Sequence, residues 1–534
     1  MSALNNSLMK SSYKDKNGEG DMRGKALCFI LWFVRSLLVL LAIYGSAESL
    51  RNHVEDEIVL LPTEEELHQL EEHVPKVVLV RPNKLGAERS RRHNSLNSVD
   101  ATAEDEFVME LVTGKEAVNN MGDNPHLPPF VDNSQLPSFP PIANQGSLSS
   151  CVAWATTYYQ GSHEIGLLNG KNNKNSLNDV LSPKWTYTFI NGGMDTGSSV
   201  FAAYELLSMQ GAPSIVNFPN DNDFLAWDVN PQDWISALRN RMTNYQAIPG
   251  LGGDGPQNLT AIKNTLNNGH IVTFATYIDS WVYTKIGQDP ENPNSPYEGQ
   301  DAAVWMNGRG GGHLTTIVGY NDDLWIDVNR NGQVDPGERG AFLVANSWGP
   351  SWGNSGFIWI SYDAFLAKSA VENGPNHGRV AAGEPINSYV LASVPKAANY
   401  SPTLIAEFTL MQNARNEILV KVGVSELNEM APSKYFTIPA LSNQGGSYDF
   451  DGKKSTHPDI ATFVVDLTDL MKSFAKQRFY LSVTDSATGN PTTLNSFFLI
   501  DLMHDKKVGS PISPMMYDHS TGINYIDYDL STGM

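Results

Sequence analysis

The sequence predicts an α+β protein that ends in an antiparallel β-sandwich. In the middle of the chain, apolar residues first recur at helical spacing, as Val200, Tyr204 and Leu207 do. Short apolar runs typical of strands follow from His270 onward. From about residue 386 the pattern alternates and is rich in β-branched residues. Helices therefore come first, strands second, and a separate β-domain last.

Each predicted element rests on its own periodicity. One helix is predicted to begin at Cys151, with Ser149 or Ser150 as its N-cap. Two more helices are predicted over residues 198–210 and 258–266. Strands of the same region are predicted over residues 270–277, 314–320, 341–345 and 357–362. The sandwich strands are predicted over residues 403–411, 417–424, 434–438, 462–467, 478–484 and 496–501.

Length and charge limit the function classes. A chain of 534 residues is long enough for two or three domains. Its 41% hydrophobic and 18% charged residues are typical of a globular protein. A formal net charge of −21 argues against sequence-independent nucleic-acid binding, which needs a basic surface. We therefore expect no nucleic-acid partner.

The first 47 residues have the composition of a secretory signal peptide. Basic residues precede an apolar stretch over residues 26–44, and small residues stand before Glu48. The segment before the stretch is long for a signal, and a start at Met22 would give a more usual length. A retained membrane anchor is the alternative, but Arg35 interrupts the stretch and a span needs about 20 apolar residues. We expect cleavage and a secreted, extracellular protein.

Residues 48–130 are polar and show little periodicity. Thr63 and Glu66 form a capping box for one short helix, and residues 88–92 are a basic run. The segment could be a disordered linker, but it lies between a signal peptide and a candidate nucleophile. We therefore predict an autoinhibitory propeptide that acts in cis.

Cys151 is the thiol on which the functional prediction depends. The sequence has two cysteines, and Cys28 lies in the predicted signal. The exported chain would keep a single thiol, which cannot form an intramolecular disulfide and is open to oxidation outside the cell. A helix N-terminus stabilises a thiolate, the nucleophilic form of cysteine, although a lone cysteine is more often a buried structural residue. This segment alone leaves both interpretations open.

Two further motifs lie on the predicted strands. His313 follows a glycine-rich run and begins an apolar strand. Asn346 follows another strand and begins Asn-Ser-Trp-Gly-Pro-Ser-Trp-Gly. Upstream, Gln145 lies six residues before Cys151, and Asn-Gly-Gly occupies residues 191–193. The histidine could be an ordinary core residue and the asparagine a turn residue, but their joint occurrence with a cysteine predicts a catalytic site.

Together these motifs resemble the papain-like cysteine peptidases. The order of the motifs, the glutamine-to-cysteine spacing and the Asn-Ser-Trp-Gly block match that family. The resemblance implies a two-lobed domain over residues 131–383, with a helical lobe that bears the cysteine and a β-barrel-like lobe that bears the histidine and asparagine. Leu148 stands where the family has a second cysteine, and Val152 where it has a tryptophan. The missing family disulfides suggest a secreted bacterial branch.

The resemblance also implies a role for each motif residue. Cys151 would be the nucleophile, His313 the general base and Asn346 the residue that orients the imidazole. Gln145 and the Cys151 backbone N–H would form the oxyanion hole. Five residues would hold the substrate backbone, line an apolar pocket or shield the His–Asn bond: Gly192, Gly193, Met194, Leu314 and Trp348. The expected activity is that of a cysteine-type endopeptidase, a hydrolase that acts on proteins or peptides.

The segment between the His313 and Asn346 strands contains a calcium-loop pattern. An insertion over residues 321–340 matches D-x-[DN]-x-[DN]-G-x5-E at every specified position. The candidate ligands are Asp327, Asn329, Asn331, the Gln333 carbonyl, Asp335 and Glu338. An Asx-rich loop that binds nothing is the alternative. We predict a structural Ca²⁺ ion that holds the register of the two strands.

The predicted β-sandwich, residues 384–534, contains no catalytic motif. It could bind a carbohydrate or a surface partner, or brace the peptidase domain, and fold class alone does not decide between these roles. For the whole chain two other interpretations stay open: a non-catalytic binding or adhesion protein on the same fold, and an acyltransferase or transpeptidase that uses the same site. The intact set of four candidate catalytic residues argues against a non-catalytic protein.

Overall fold

The computed structural model describes residues 127–531 with short gaps, together with Leu85, Glu88 and Arg89. The gaps are residues 244, 250–255, 307–309, 367–368, 375–388, 428, 433, 455–458 and 472–475. The predicted signal peptide, with its candidate anchor, and most of the predicted propeptide lie outside the described residues. In the part of the chain that is described, no helix is both long and apolar enough to cross a membrane.

The helical part of the chain begins at Cys151. Helix α1 (Cys151–Ala153) continues directly into a π-helical segment (Trp154–Gly161) and then into α2 (Ser162–Asn169). The other α-helices of the described residues are α3 (Pro183–Ile190), α4 (Val200–Met209), α5 (Pro231–Leu238) and α6 (Pro256–Asn267). Helices α4 and α6 lie where the sequence predicts helices.

Short polar side chains set the starts of several helices. Ser182 and Asn230 each precede a proline at the first helical position, and each accepts a hydrogen bond from a first-turn backbone N–H. Ser199 caps α4 in the same way. Ser150 occupies the N-cap position of α1, but its hydroxyl makes no capping bond. The Ser-Pro and Asn-Pro pairs are the signals from which α3 and α5 could have been predicted.

The strands of the middle region form one sheet. They are β1 (Phe130–Asp132), β2 (Gln246–Pro249), β3 (Val272–Tyr277), β4 (Val282–Lys285), β5 (Asp301–Trp305), β6 (Gly312–Trp325), β7 (Arg339–Ala345), β8 (Phe357–Ser361) and β9 (Tyr389–Ala392). Hydrogen-bonded neighbours follow the order β2-β9-β3-β6-β7-β8-β5-β4, and β1 pairs with β6. Strands β3, β6, β7 and β8 lie where the sequence predicts strands. Strand β9 follows the predicted domain boundary at residue 383, yet it pairs with β3 inside this sheet.

Strands β6 and β7 carry the two candidate catalytic residues of the sheet. They pair antiparallel, starting with Thr316 opposite Ala345. His313 is the second residue of β6, and Asn346 directly follows β7. Both residues therefore lie at the same end of the strand pair. The loop of residues 326–338, which contains the predicted calcium ligands, lies at the opposite end.

The C-terminal region is a β-sandwich. Its strands are β10 (Leu404–Gln412), β11 (Ile418–Ser425), β12 (Lys434–Ser442), β13 (Asp459–Asp466), β14 (Lys476–Asp485), β15 (Thr492–Asp501), β16 (Lys506–Gly509), β17 (Met515–Tyr517) and β18 (Thr521–Asp529). One antiparallel sheet has the order β13-β10-β15-β16, with β17 also on β15, and the other has the order β12-β11-β14-β18. The six strands predicted from the sequence correspond to β10 through β15.

One hydrophobic core joins the helical part to the sandwich. It includes Trp185 of α3 and Trp234 of α5 together with Phe463 of β13. The rings of Trp234 and Phe463 meet edge to face, with centroids 5.3 Å apart. The regions predicted as separate domains, residues 131–383 and 384–534, are thus packed through a common apolar core.

The first strand defines the N-terminal edge of the sheet. Phe130 of β1 pairs with Asn321 of β6. The Tyr320 hydroxyl donates to the Pro128 carbonyl at 2.8 Å. Residues 128–130, which the sequence analysis assigns to the propeptide, are therefore hydrogen-bonded to the sheet. These bonds attach residues 128–130 to the peptidase sheet, although the predicted domain boundary lies after residue 130.

Candidate active site

The candidate nucleophile is the first residue of helix α1. Cys151 is completely buried, with 0% of its surface exposed. Its apolar neighbours include Val200 of α4, Ala247 of β2 and Leu314 of β6. The thiol therefore lies where the helical part meets the sheet.

Burial controls the protonation state of this thiol. Desolvation raises the pKa of Cys151 to about 12, because the thiolate would lose its hydration. The backbone N–H groups of Leu314, Val152 and Cys151 itself act in the opposite direction. In this structure the thiol is therefore protonated at neutral pH.

His313 and Asn346 form a hydrogen-bonded pair. Nε2 of His313 lies 2.7 Å from Oδ1 of Asn346. Because an amide oxygen can only accept, Nε2 carries the proton. The Trp348 ring packs against the imidazole, with centroids 4.8 Å apart and planes inclined by 34°. The histidine and asparagine are both buried, so water has little access to the bond between them.

The other ring nitrogen has no partner among the described residues. Nδ1 of His313 and Nδ2 of Asn346 are both buried without a hydrogen bond. Burial lowers the pKa of His313, and the hydrogen bond to Asn346 offsets part of this effect. The resulting pKa is about 4. The imidazole is therefore neutral at neutral pH, with an acceptor available at Nδ1. Burial therefore favours an uncharged thiol and an uncharged imidazole over an ion pair.

Gln145 is held in place by the residue that follows Asn346. The Ser347 hydroxyl donates to Oε1 of Gln145 at 2.6 Å, and the Gln145 backbone N–H donates to the Ser347 carbonyl at 2.8 Å. Nε2 of Gln145 donates to the Leu148 carbonyl at 2.8 Å. An amide nitrogen carries two hydrogens, so one N–H of Gln145 remains for a further acceptor. The motif pattern of the sequence does not predict this role for Ser347.

Asp195 is a second residue near the site that the sequence motifs do not predict. Its carboxylate accepts the Ser149 backbone N–H at 2.8 Å and the Tyr187 hydroxyl at 2.5 Å. Burial raises the pKa of Tyr187, and the bond to Asp195 raises it further. These bonds connect the residues before Cys151 to the turn after α3. Asp195 closely follows the Asn-Gly-Gly motif in the sequence, and this proximity is the signal that could have pointed to it.

Of the predicted substrate-binding residues, Gly193 is the most confined. Gly192 and Gly193 have φ angles of 64° and 79°, a region that favours glycine. The Gly193 N–H donates to Oδ1 of Asn191 at 2.7 Å. Gly192 is exposed, whereas Gly193 is buried. A Cβ added to Gly193 would lie 2.6 Å from the carbonyl oxygen of Gly445 in the β-sandwich.

The two residues predicted to line an apolar pocket have different surroundings. Leu314 is 1% exposed and belongs to the apolar cluster around Cys151. Met194 is 59% exposed and lies outside that cluster. Leu314 therefore lies in the apolar cluster around the thiol, whereas most of the Met194 side chain is exposed.

The predicted calcium loop is closed by its own hydrogen bonds. The side-chain amides of Asn329 and Asn331 both donate to Oδ2 of Asp335, at 2.6 Å each. Asp327 accepts the Asn331 backbone N–H at 3.1 Å. These four side chains converge, although the described part of the chain contains no group of three His, Cys, Asp or Glu side chains that could hold a metal ion.

Glu338 differs from the other predicted ligands because it is 0% exposed. Its carboxylate accepts four hydrogen bonds, at 2.8 to 3.4 Å, from the Trp325 indole and from the backbone N–H groups of Val328, Asn329 and Asp335. In this conformation Glu338 closes the base of the loop, and it would bind an ion only by exchanging some of these bonds. The other predicted ligands are exposed or half-buried: Asp327, Asn329, Asn331, Gln333 and Asp335.

A thiol at a helix start and a His–Asn pair on the adjoining sheet are the arrangement of a cysteine protease. The family model described as papain family cysteine protease matches residues 127–374. This segment, somewhat less than half of the chain, belongs to that family. The predicted family and α+β fold are confirmed, and the chain carries a cysteine protease domain, which is a hydrolase.

Several solved structures match the chain. Xylellain, a cysteine protease from Xylella fastidiosa, is 17% identical, with 59% of this chain and 98% of that chain covered and a TM-score of 0.33. The bromelain protease from Ananas comosus in complex with the E64 inhibitor is 18% identical, with 51% and 100% covered and a TM-score of 0.30. Digestive procathepsin L 3 of the Tenebrio molitor larval midgut is 15% identical, with 51% and 71% covered and a TM-score of 0.31. At these values the likenesses add nothing to the family match, and a comparison with curated proteins gave no match.

Proposed function

We propose that the chain is a cysteine peptidase that is secreted, made as a zymogen and activated by removal of its propeptide. The observation that carries the proposal is the His313–Asn346 pair, whose 2.7 Å bond uses Nε2 and leaves Nδ1 as the available base. The Cys151 thiol lies in one apolar cluster with Leu314, the next residue on the histidine strand. A nucleophile and a base supplied by adjoining elements are what acyl transfer to sulfur requires.

In the proposed mechanism, Cys151 gives its proton to Nδ1 of His313 as the sulfur attacks the substrate carbonyl carbon. Asn346 holds the ring and stabilises the imidazolium through the Nε2–H bond. The developing oxyanion accepts hydrogen bonds from the remaining N–H of Gln145 and from the Cys151 backbone N–H. His313 then returns the proton to the leaving amine. Water, with His313 again as the base, hydrolyses the thioester and restores the thiol.

Features of the site support an inactive resting form. Cys151 and His313 are both buried, and the pKa values raised to about 12 and lowered to about 4 disfavour their ion pair. Within the predicted propeptide, Arg89 donates to the carbonyls of Leu266 and Asn267, at 3.0 Å each, where α6 ends. A cation at a helix C-terminus is a favourable contact, which supports docking of a propeptide in cis.

Labelling with an epoxide-type thiol inhibitor tests the catalytic role. Secreted full-length protein is treated before and after activation, and the label is counted by intact mass. We expect one label per activated chain and none on the Cys151→Ala variant. Activated wild-type protein that takes no label would contradict the proposal and favour the non-catalytic binding protein. Labelling with transfer to an added amine but no hydrolysis would favour an acyltransferase.

The same mass measurements test secretion and processing. We expect the secreted zymogen to lack residues 1–47 and the active form to begin before Pro128, because that residue is bonded to the sheet. A membrane-bound product that retains residues 26–44 would instead favour the anchor.

We further propose that the loop between β6 and β7 binds one structural Ca²⁺ ion. Asp327, Asn329, Asn331 and Asp335 supply oxygen atoms, the ligand type that Ca²⁺ prefers, together with the Gln333 carbonyl. Support comes from the side-chain amides of Asn329 and Asn331, which both donate to Asp335 at 2.6 Å. Rotation of these two amides would bring their oxygen atoms towards the Asp335 carboxylate and form a cluster of oxygen ligands.

Calcium titration tests the loop proposal. Modules of this kind bind at roughly 10⁻⁴–10⁻³ M, so 10 mM Ca²⁺ would stabilise the fold by about 1–3 kcal/mol. We expect chelator to lower the melting temperature and activity together, and Asp327→Ala to remove the response. A melting curve that neither calcium nor chelator moves would favour a loop that binds nothing.

For the β-sandwich we propose a bracing role. Support comes from the core that Trp234 shares with Phe463, and from β9, which extends the peptidase sheet beyond residue 383. We expect a chain cut at residue 383 to be secreted at a much lower level than the full chain. Equal secretion and equal activity would contradict bracing and favour a partner, such as a carbohydrate or a surface protein.

A further inference from the structure

A turn of the β-sandwich covers Gly193. The turn follows β12 and contains Gly445 and Gly446, with φ angles of 81° and 72°. A Cβ added to Gly193 would lie 2.6 Å from the Gly445 carbonyl oxygen and 2.8 Å from the Gly446 Cα. One added to Gly446 would lie 3.1 Å from both the Gly192 carbonyl oxygen and the Gly193 Cα. The two glycine pairs are thus in backbone contact, which side chains would prevent.

A buried arginine holds this turn. Nε of Arg415 donates to the Gly445 carbonyl at 2.9 Å, and its Nη1 donates to two more carbonyls of the same segment. The guanidinium lies over the Trp227 ring, 4.4 Å from its centroid. Trp227 in turn donates its indole N–H to the Thr188 carbonyl of α3 at 3.0 Å. The turn is therefore tied to the helix that leads to the Gly192–Gly193 pair.

The sandwich around the turn is also fixed to the peptidase domain. The Ala440 N–H of β12 donates to Oε1 of Gln210, just after α4, at 3.2 Å. Arg241 forms an ion pair with Asp466 of β13 at 2.6 Å, and the two side chains are 8% and 0% exposed. Moving the turn away from Gly193 would break these buried contacts and the common apolar core. The turn therefore behaves as a fixed wall and not as a lid.

We propose that the Gly445–Gly446 turn closes the upstream end of the substrate cleft and thereby selects the substrate. The proposal rests on the proposed function and on the role that the family resemblance implies for Gly192 and Gly193, which would hold the substrate backbone before the scissile bond. Gly192 is exposed, whereas Gly193 is buried against the turn, so a substrate chain that lies along this pair meets the Gly445 and Gly446 backbone. Peptides with one or two residues before the scissile bond fit, and longer ones meet the wall. The expected endopeptidase activity is thereby narrowed to cleavage near the N-termini of chains.

A peptide series tests the wall. The substrates share one scissile bond and one downstream sequence, and carry one, two, three or five residues upstream. For the activated full chain, we expect kcat/KM to fall by about tenfold or more beyond two upstream residues, the equivalent of losing one good contact. Deletion of Gly445 and Gly446 opens the cleft, so the longer peptides should recover by a similar factor.

Two matched substitutions test the same proposal if the variant that lacks Gly445 and Gly446 does not fold. Gly446→Ala places a methyl group against Gly192 and Gly193, whereas Gly489→Ala, at a φ of 92° in another sandwich turn, meets nothing within 4 Å. Both carry the strain of a positive φ, and Gly446→Ala adds contacts at 3.1 Å, so the melting temperature of each variant is measured beside its activity. We expect Gly446→Ala alone to lower kcat/KM further for the peptides with two or more upstream residues, with the one-residue peptide unchanged.

The outcomes separate this inference from the proposed function. A length profile that is flat, or that both the deletion and Gly446→Ala leave unchanged, would overturn the wall while Cys151 labelling still supports a peptidase. Absence of both labelling and hydrolysis in the activated wild type would overturn the peptidase and the wall with it. Recovery of long peptides in the deletion variant supports the wall.

Discussion

The two ends of the β6–β7 strand pair differ in whether their buried polar atoms are hydrogen-bonded. At one end, Nδ1 of His313 and Nδ2 of Asn346 are buried without a hydrogen bond. At the other end, Glu338 is equally buried, yet its carboxylate accepts four hydrogen bonds. The same two strands therefore have unpaired buried polar atoms at one end and, at the other end, a buried carboxylate saturated with hydrogen bonds.

This difference indicates what each end is for. A buried polar group without a partner costs about 1–3 kcal/mol, and at Nδ1 of His313 the proton of the Cys151 thiol would supply the missing partner during the proposed reaction. A saturated carboxylate instead stabilises the loop that it closes. We expect substitutions near His313 to change the rate more than the stability, and substitutions at Glu338 to do the reverse.

The largest effect is expected at the nucleophile. Cys151→Ala should lower kcat/KM by at least about 10³-fold, because no other group can form the thioester. Alanine is tolerated in the apolar cluster, so the melting temperature should change little. Peptide hydrolysis and thermal melting of the same preparations check this. Hydrolysis at a tenth of the wild-type rate or more would show that another nucleophile is used.

The next effect is expected at the oxyanion hole. Gln145→Ala should lower kcat by about 10²–10³-fold, the loss typical of one donor. Ser347→Ala should lower it by about tenfold, because Ser347 acts through the orientation of the Gln145 amide. The double variant should then be no slower than Gln145→Ala alone. Multiplied effects in the double variant would contradict that dependence.

Acid should destabilise the catalytic end. The pKa of His313 is lowered to about 4, so its full contribution to stability is present above pH 6.5 and is lost as the pH falls towards 4, where the unfolded chain binds the proton first. The free energy of unfolding should decrease by up to about 3 kcal/mol over this window. Urea titrations at pH 7 and 4.5 should show a smaller decrease for His313→Gln, with both proteins in a Cys151→Ala background.

His163, whose pKa burial also lowers, is present in both proteins and cancels from that comparison. Equal decreases in the two proteins would exclude His313 as the source of the acid sensitivity.

The smallest effect is expected at the saturated end. Glu338→Gln places an amide nitrogen against backbone donors and should lower the free energy of unfolding by about 1–3 kcal/mol. The activity of the folded fraction should remain close to the wild-type value at 25 °C. Urea unfolding and active-site titration with the thiol inhibitor measure the two quantities separately. A loss of activity without a loss of stability would contradict the contrast between the two ends.

Elements with a clear local pattern were predicted, and those that depend on distant partners were not. The alternating runs from residue 403 onward coincide with β10 to β15, because each strand has one buried face. Strand β9 is short and pairs with β3, which lies far away in the sequence. Its assignment to the peptidase sheet therefore required the tertiary structure.

The candidate site divides in the same way. The sequence by itself determined the order of Gln145, Cys151, His313 and Asn346 and with it the family, because motif spacing is a local property of the chain. Only the tertiary structure decided that the thiol is completely buried and that Ser347 orients Gln145. It also decided that Gly445 covers Gly193, a contact that local periodicity cannot encode, because the two glycines lie far apart in the sequence.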